Sequence, residues 1–265
     1  MKNIFSIILS LFLVISCEKE INLDLEDQSG SIVIEGNITD QIGPYKVRIT
    51  KSVAFTQTNQ YPPIENAEVT ISDSGETETL QHIGNGIYQA TILQGQSGKT
   101  YTLNIKFDGK EYKAKSTMPE DVEFQGLEQD SFMVAGEKSY TLLPIFVDPP
   151  ALGNRYLFTY YVNDNPKKYF SEFSDNVNNG APNQRPLILP NDDEDGEVKV
   201  KVGDKITVEM HCIDDAVYTF YSALLQLSGG GGGGVTPTNP PSNINNGALG
   251  YFSAHTVSVK TIIIE

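Results

Sequence analysis

The 265-residue chain has no tryptophan, two cysteines, three histidines and four methionines, and each shortage closes off an explanation. Two cysteines, Cys17 and Cys212, allow one disulfide at most, and none if Cys17 carries a lipid. Stability must therefore come from apolar burial. Cys212, beside Met210 and Ile213, reads as a small buried hydrophobe and not as a nucleophile. Basic residues are scarce: 19 Lys and Arg stand against 34 Asp and Glu, a formal charge of −15. That balance argues against nucleic acid and against electrostatic adsorption to anionic lipid. His82, His211 and His255 have no metal-ligand spacing, so neither a metal nor a cofactor is expected. A Gly-x-Ser-x-Gly elbow, a Ser-x-x-Lys pair, a P-loop and a dinucleotide fingerprint are all missing. No catalytic residue is assigned on this basis, and the absence of tryptophan weakens any reading as a sugar-stacking platform.

No apolar run reaches the ~20 residues of a membrane span. The longest, Ile4 to Ile15, follows a short basic start and is interrupted only by Ser6 and Ser10. It has the length of a secretory h-region, and Ser16-Cys17 closes it in the manner of a bacterial lipobox. Cys17 is thus the expected lipidation site and residues 1–16 the signal peptide. Cleavage leaves 249 residues with a charge of −16, because the excised segment holds one Lys and no acid. Residues 17–30 are polar and acidic, a tether that lets the folded part stand off a bilayer.

Beyond the tether the dominant signal is short alternation. Tyr101, Leu103, Ile105 and Phe107 share one face against Thr102, Asn104 and Lys106, which marks a half-buried antiparallel strand. Asp108-Gly109 supplies the positive φ angles of a two-residue hairpin. With Ile32–Ile38, Tyr45–Thr50, Val69–Asp73, Glu76–Ile83, Gly86–Ile92 and the return through Tyr112 and Ala114, about seven strands fit within residues 31–118. That count matches an immunoglobulin-like or transthyretin-like sandwich. The acidic stretch from Met118-Pro119 to Asp130 reads as a linker. A second β-rich domain, residues 131–265, takes strands at Ser139–Val147, Arg155–Asn163, Glu197–Val202 and Lys205–Ile213. It also takes one helix from Asp214 to Leu227, with Asp214 or Asp215 as N-cap. Thr256–Ile264 reads as a closing strand of that same domain. The fold class expected is mainly β, two domains, one helix.

Two irregular stretches stand out. Asn191-Asp192-Asp193-Glu194-Asp195-Gly196 imitates the start of a calcium loop, but Val202 falls where an EF-hand needs a bidentate Glu, so an exposed acidic turn is expected. Gly229–Gly234 lies in a loop at 228–238 expected to be mobile, since six glycines offer no side chain to pack. The aromatic residues Tyr156, Phe158, Tyr160 and Tyr161, and Tyr218, Phe220 and Tyr221 on the helix, are read as core filling because alternate members must point inward.

Three features together resemble a known family: the lipobox with its acidic tether, Ile34-Glu35-Gly36-Asn37-Ile38-Thr39-Asp40 leading into Gly43-Pro44-Tyr45, and Asn239-Pro240-Pro241-Ser242-Asn243-Ile244 leading into Gly247-Ala248-Leu249-Gly250-Tyr251-Phe252. They look like the Bacteroidota outer-membrane lipoproteins of domain of unknown function forty-two forty-nine. The resemblance implies outer-membrane attachment, with the cell surface favoured over the periplasmic face, and a non-enzymatic accessory or binding role beside a TonB-dependent transporter. A surface hydrolase, or an adhesin binding glycan or peptide, is the alternative. Asn239, Asn243, Leu249, Tyr251 and Phe252 are the expected partner contacts, against a structural loop covering a sheet edge. The anchoring expectation has a direct test. Cys17→Ala should leave an uncleaved precursor that takes up no radiolabelled palmitate, and a mutant still processed and labelled would refute the lipobox.

Overall fold

The computed structural model describes residues 29–54, 60–134, 136–175, 179–191, 198–228 and 239–265. Cys17 with its lipobox and nearly all of the tether, the glycine run, and residues 192–197 of the acidic turn lie outside the described residues. None of the described helices is long and apolar enough to cross a membrane.

The first region forms eight strands: β1 (Ile32–Thr39), β2 (Tyr45–Lys51), β3 (Glu68–Ser72), β4 (Thr77–Thr79), β5 (Gln81–His82), β6 (Ile87–Ala90), β7 (Thr100–Phe107) and β8 (Lys110–Thr117). Alternation is what builds them. Along β7, Tyr101, Leu103 and Ile105 are buried while their neighbours are not. Asp108 and Gly109 turn into β8 with φ of 49° and 72°. The single strand expected at Glu76–Ile83 is broken at buried Leu80: β4 pairs with β3 in one sheet, whereas β5 pairs with β6 in the other. A strand that changes sheet in this way makes the corner of a sandwich.

The second region supplies β9 (Gly126–Val134), β10 (Glu137–Ile145), β11 (Arg155–Val162), β12 (Tyr169–Ser174), β13 (Leu187–Ile188), β14 (Lys205–Cys212), helix α1 (Asp215–Ser228) and β15 (Leu249–Ile263). Three expectations change here. The linker ends earlier than expected, because β9 pairs with β10 along its whole length from Gly126 to Val134. Its acidic residues face solvent from an edge strand, and Val122 and Phe124 before it are buried in the second core. Residues 198–202, expected within a strand, have irregular backbone ending in a turn, with Val200 N donating to Pro190 O at 3.2 Å. Gly203, at φ 90°, completes the turn that launches β14.

The third change matters most. The closing strand was expected to pair within the second domain, but it belongs to both regions. β15 runs antiparallel to β14 through Thr256–Ile263 and parallel to β1 through Leu249–His255. The result is one eight-stranded sheet, ordered β12-β11-β14-β15-β1-β2-β6-β5, with a four-stranded and a three-stranded sheet packed as separate layers. Two cores form. One gathers Ile34, Val47, Ile49 and Leu103; the other gathers Phe124, Leu142, Phe158 and Met210. Phe252 and Ala254 of β15 and Ile244 before it enter the first core. The interval 31–118 therefore does not contain its own core, and residues near 244–254 complete it.

Two glycines permit the parallel pairing. Gly36 faces Phe252 in the register, and a Cβ there would press on the Phe252 ring at 3.1 Å. Gly250 has φ of 91°, and a Cβ on it would lie 2.0 Å from Ile34 O. Gly250→Ala combines a left-handed backbone with a main-chain collision, which places it among the severe substitutions. Urea unfolding should show a loss of about 3 kcal/mol or more. A loss under ~1 kcal/mol would mean that the strand pairing tolerates displacement.

Candidate functional site

The face of the eight-stranded sheet turned away from both cores carries the site. Strand parity decides which side chains reach it. On β14, Ile206, Val208, Met210 and Cys212 point into the second core, which leaves Glu209 and His211, with Ile213 just past the strand, on the opposite face. On β15, Phe252 and Ala254 point inward, and Tyr251, Ser253 and His255 outward. Leu157 and Thr159 of β11 and Asn37 of β1 join them through the registered pairs Leu157–His211, Thr159–Glu209 and Asn37–Ser253.

Helix α1 covers part of this face. Asp214 is its N-cap: Oδ1 accepts from Val217 N at 2.9 Å, in the position a capping side chain takes. Asp214 Oδ2 also accepts from Ser116 Oγ at 2.5 Å, so the helix start is fastened to β8. Val217 packs against Leu157 and Ile213, and the Tyr221 ring lies 5.7 Å from Phe170 and 5.3 Å from Tyr251. Tyr221 Oη donates to Tyr251 Oη at 2.9 Å, and Asn37 Nδ2 donates to the same oxygen at 3.3 Å. Burial raises the Tyr221 phenol, and the adjoining Tyr251 raises it further.

Beside the helix a cavity of about 260 Å³ remains. Its floor is the pair His211 and His255, edge to face with ring centroids 4.9 Å apart. His255 Nδ1 shares a hydrogen bond of 2.8 Å with Ser253 Oγ. Burial holds the His255 imidazole well below its usual range, and neighbouring His211 adds to the effect. At the rim Lys168 Nζ lies 3.4 Å from Glu209 Oε2, and the same oxygen lies 3.6 Å from His211 Nε2. His211, with Lys168, keeps the Glu209 carboxyl below its ordinary range against the opposing effect of burial.

This arrangement suits binding better than turnover. A serine on a histidine nitrogen is the minimum of a nucleophile–base pair, but Ser253 is only 1 % exposed and cannot present its oxygen to an acyl group. The other neighbour of the His255 ring is a second histidine, where hydrolytic triads place a carboxylate to stabilise the imidazolium. Among the described residues, no three His, Cys, Asp or Glu side chains are placed to hold a metal ion. Cys212 is buried, and burial pushes its thiol up to about 11, so it is no nucleophile at neutral pH.

The five expected contact residues separate. Tyr251 is in the cavity wall and Leu249 is half-buried at the start of β15. Phe252 is fully buried in the first core and Asn243 is fixed to it, with Nδ2 donating to Phe252 O at 2.7 Å and Oδ1 accepting from Phe252 N at 3.0 Å. Phe252 is not available to a partner, which corrects that expectation; Asn243 is half-buried with its amide engaged by β15. The segment instead covers an edge. Ile244 bridges Ala114, and Asn245 Oδ1 accepts from Lys113 N at 2.7 Å, so the free side of β8 is protected. Asn239 is exposed. The aromatic strand behaves as parity requires: Tyr156, Phe158 and Tyr160 fill the second core. His82 is exposed on β5, with its ring 5.0 Å from Tyr88. Of the three isolated histidines, two meet. The signal that would have paired them is a polar residue at alternate positions, Glu209/His211 and Ser253/His255, in two strands otherwise apolar enough to be central.

The family model for the domain of unknown function DUF4249 matches residues 18–261. No curated protein matches the chain. Among solved structures, a cytokine receptor complex is 9 % identical over 88 % of this chain and 95 % of its own, with a TM-score of 0.25. A two-domain fibronectin type-III segment of chicken tenascin is 10 % identical over 69 % of this chain and 90 % of its own, with a TM-score of 0.22.

The buried histidine gives the site a pH signature. His255 is more easily protonated in the unfolded chain than in the folded one, so acid favours unfolding. The stability it contributes is complete above the unfolded value of about 6.5 and is lost as pH falls below it, with a slope of at most ~1.4 kcal/mol per pH unit. Urea unfolding between pH 7.5 and 5 should show this loss, and His255→Gln should flatten it. An unchanged slope in the variant would place the acid sensitivity elsewhere.

Proposed function

The chain belongs to the DUF4249 family, and from that premise we propose that it is a non-enzymatic, lipid-anchored binding component of an outer-membrane transport assembly. The observation that carries the binding reading is the cavity on the outer sheet face. It is lined by aromatic and aliphatic side chains, polar groups and the Lys168–Glu209 ion pair, and its one serine–histidine pair is too deeply buried for attack.

The anchor and the partner rest on other supports. The lipobox ending in Ser16-Cys17 favours acylation of Cys17 and attachment to the outer membrane of a Bacteroidota cell, facing outward. An acyl anchor confines a protein to the plane of the membrane and raises its effective concentration beside any integral neighbour, so a modest interface suffices. A TonB-dependent β-barrel transporter is the partner proposed, on the family resemblance. The shared sheet suits the role mechanically, because one covalent strand joins the two regions. Phe252 is structural, so of the expected contacts Asn239, Asn243, Leu249 and Tyr251 remain for a partner, with Asn239 the exposed one.

Affinity purification of the tagged, lipidated chain from solubilised outer membranes, followed by mass spectrometry, tests the reading. A TonB-dependent transporter should be the principal protein recovered, and Cys17→Ala should reduce its recovery sharply. If no barrel is recovered even after mild crosslinking, the transport role fails.

A further inference from the structure

The hairpin of β9 and β10 carries three consecutive apolar residues that water reaches. Phe132, Met133 and Val134 are 43, 65 and 45 % exposed, and from Asp130 onward every residue of β9 is exposed, whichever face it points to. The edge away from β10 is open as well. Other sheet ends are short or covered. β4, β5 and β13 have two or three residues, Ile244 and Asn245 shield β8, and Arg185 Nη2 donates to the Glu172 carbonyl of β12 at 3.3 Å. β9 runs for nine residues at the end of its sheet. Such an edge is a template for a further strand.

The register shows which groups it offers. Tyr140 O accepts from Leu189 N at 3.1 Å, so the main-chain groups of Tyr140 are turned toward β13. Ser131, its partner in β9, therefore points its N–H and C=O away from β10, as do Leu127, Gln129 and Met133 at the same parity. One of these groups is already engaged: Ser131 N donates to Asp130 Oδ1 at 2.7 Å. The side chains of Glu128, Asp130, Phe132 and Val134 share the sheet face turned away from the second core, into which Tyr140 and Leu142 point. The two acids gain no charge partner from the neighbouring strand, since Leu143 and Thr141 lie opposite them.

A strand added here would set its own side chains directly opposite those four. These are the non-hydrogen-bonded positions, where opposed side chains come closest. Opposite Val134 and Phe132 the chemistry asks for apolar groups, and opposite Asp130 and Glu128 for cations. A lysine opposite Asp130 does two things. It neutralises the carboxylate, and it draws it off the Ser131 N–H that the added strand needs as a donor. A second copy of β9 carries the same two acids and no base, so charge disfavours pairing between copies.

We propose that the free edge of β9 takes up an extended segment of a partner protein by strand addition. That segment carries apolar side chains opposite Val134 and Phe132, and lysine or arginine opposite Asp130 and Glu128. The assignment is independent of the transport role, because it is tested on the purified chain with synthetic peptides.

The probe is the capped peptide Val-Thr-Val-Thr-Lys-Thr-Lys-Thr, which meets the pattern in the antiparallel direction. Added to isotope-labelled protein, it should shift the amide resonances of Gln129, Ser131 and Met133 and slow their hydrogen exchange. The reversed sequence meets the pattern in the parallel direction, and preference for either one supports the site. Threonine in place of the lysine opposite Asp130 should weaken binding about fivefold, and glutamate in place of both lysines should abolish it. In Asp130→Ala the lysine and threonine peptides should bind alike. Ser131→Pro removes the outward donor without touching the ladder to β10, a place where an edge strand tolerates proline, and should abolish binding. Methylating the peptide nitrogens opposite Ser131 and Gln129 should do the same with the protein unaltered. The proposal is overturned if neither lysine peptide protects the β9 amides, if the glutamate peptide binds equally well, or if the methylated peptide binds like its parent. It also fails if sedimentation of the free protein gives a dimer with those amides already protected, since the edge would then serve a second copy.

Discussion

One strand holds the molecule together. β15 gives its first half to β1 and its second half to β14, so two sheets that would otherwise end in open edges become one. An open edge invites pairing with another chain, and closing it internally removes that hazard. The arrangement also transmits force. Ser116 Oγ donates to Asp214, the cap of α1, and accepts from Ala254 N of β15 at 2.8 Å. Helix start, shared strand and the end of the first region thus meet at a single hydroxyl. Displacing Ser116 breaks both hydrogen bonds, and displacing the helix start or β15 breaks one.

The sheet has two unlike faces as a result. Toward the cores it is apolar apart from buried Thr256, and toward the helix it is mixed, with histidine, glutamate, serine, threonine and asparagine across four adjacent strands. The mixed face lies at the seam, where β14, β15 and β1 run side by side. Neither region alone would assemble the cavity, since His211 comes from one, Asn37 from the other and His255 from the strand between them.

Much of the fold was legible in the residues. Period-two alternation in Tyr101–Phe107, the Asp108-Gly109 turn and the helical clustering from Val217 to Leu225 each act locally, and each appears where local chemistry places it. β9 was missed because Glu128 and Asp130 on an exposed edge look the same as linker residues in a string. The sharing of β15 was hidden for a deeper reason. Parallel pairing between residues more than two hundred positions apart leaves no local mark except Gly36 and Gly250, whose role depends on which strand lies beside them. The site was illegible on the same ground. His82, His211 and His255 are equivalent in sequence, and only the register brings the last two together while leaving the first alone on an edge. Phe252 was read as an anchor for a partner, yet its side chain fills the space that Gly36 leaves empty.

The parallel pairing of β1 with β15 also imposes a schedule. The first region is synthesised early, but its core lacks Phe252, Ala254 and a neighbour for β1 until residues near 254 have emerged. Contacts between such distant positions form slowly, because a long loop must close before they are rewarded. The first region therefore completes its core only when that late segment arrives. The strand that stiffens the finished molecule is thus also the one that delays its completion.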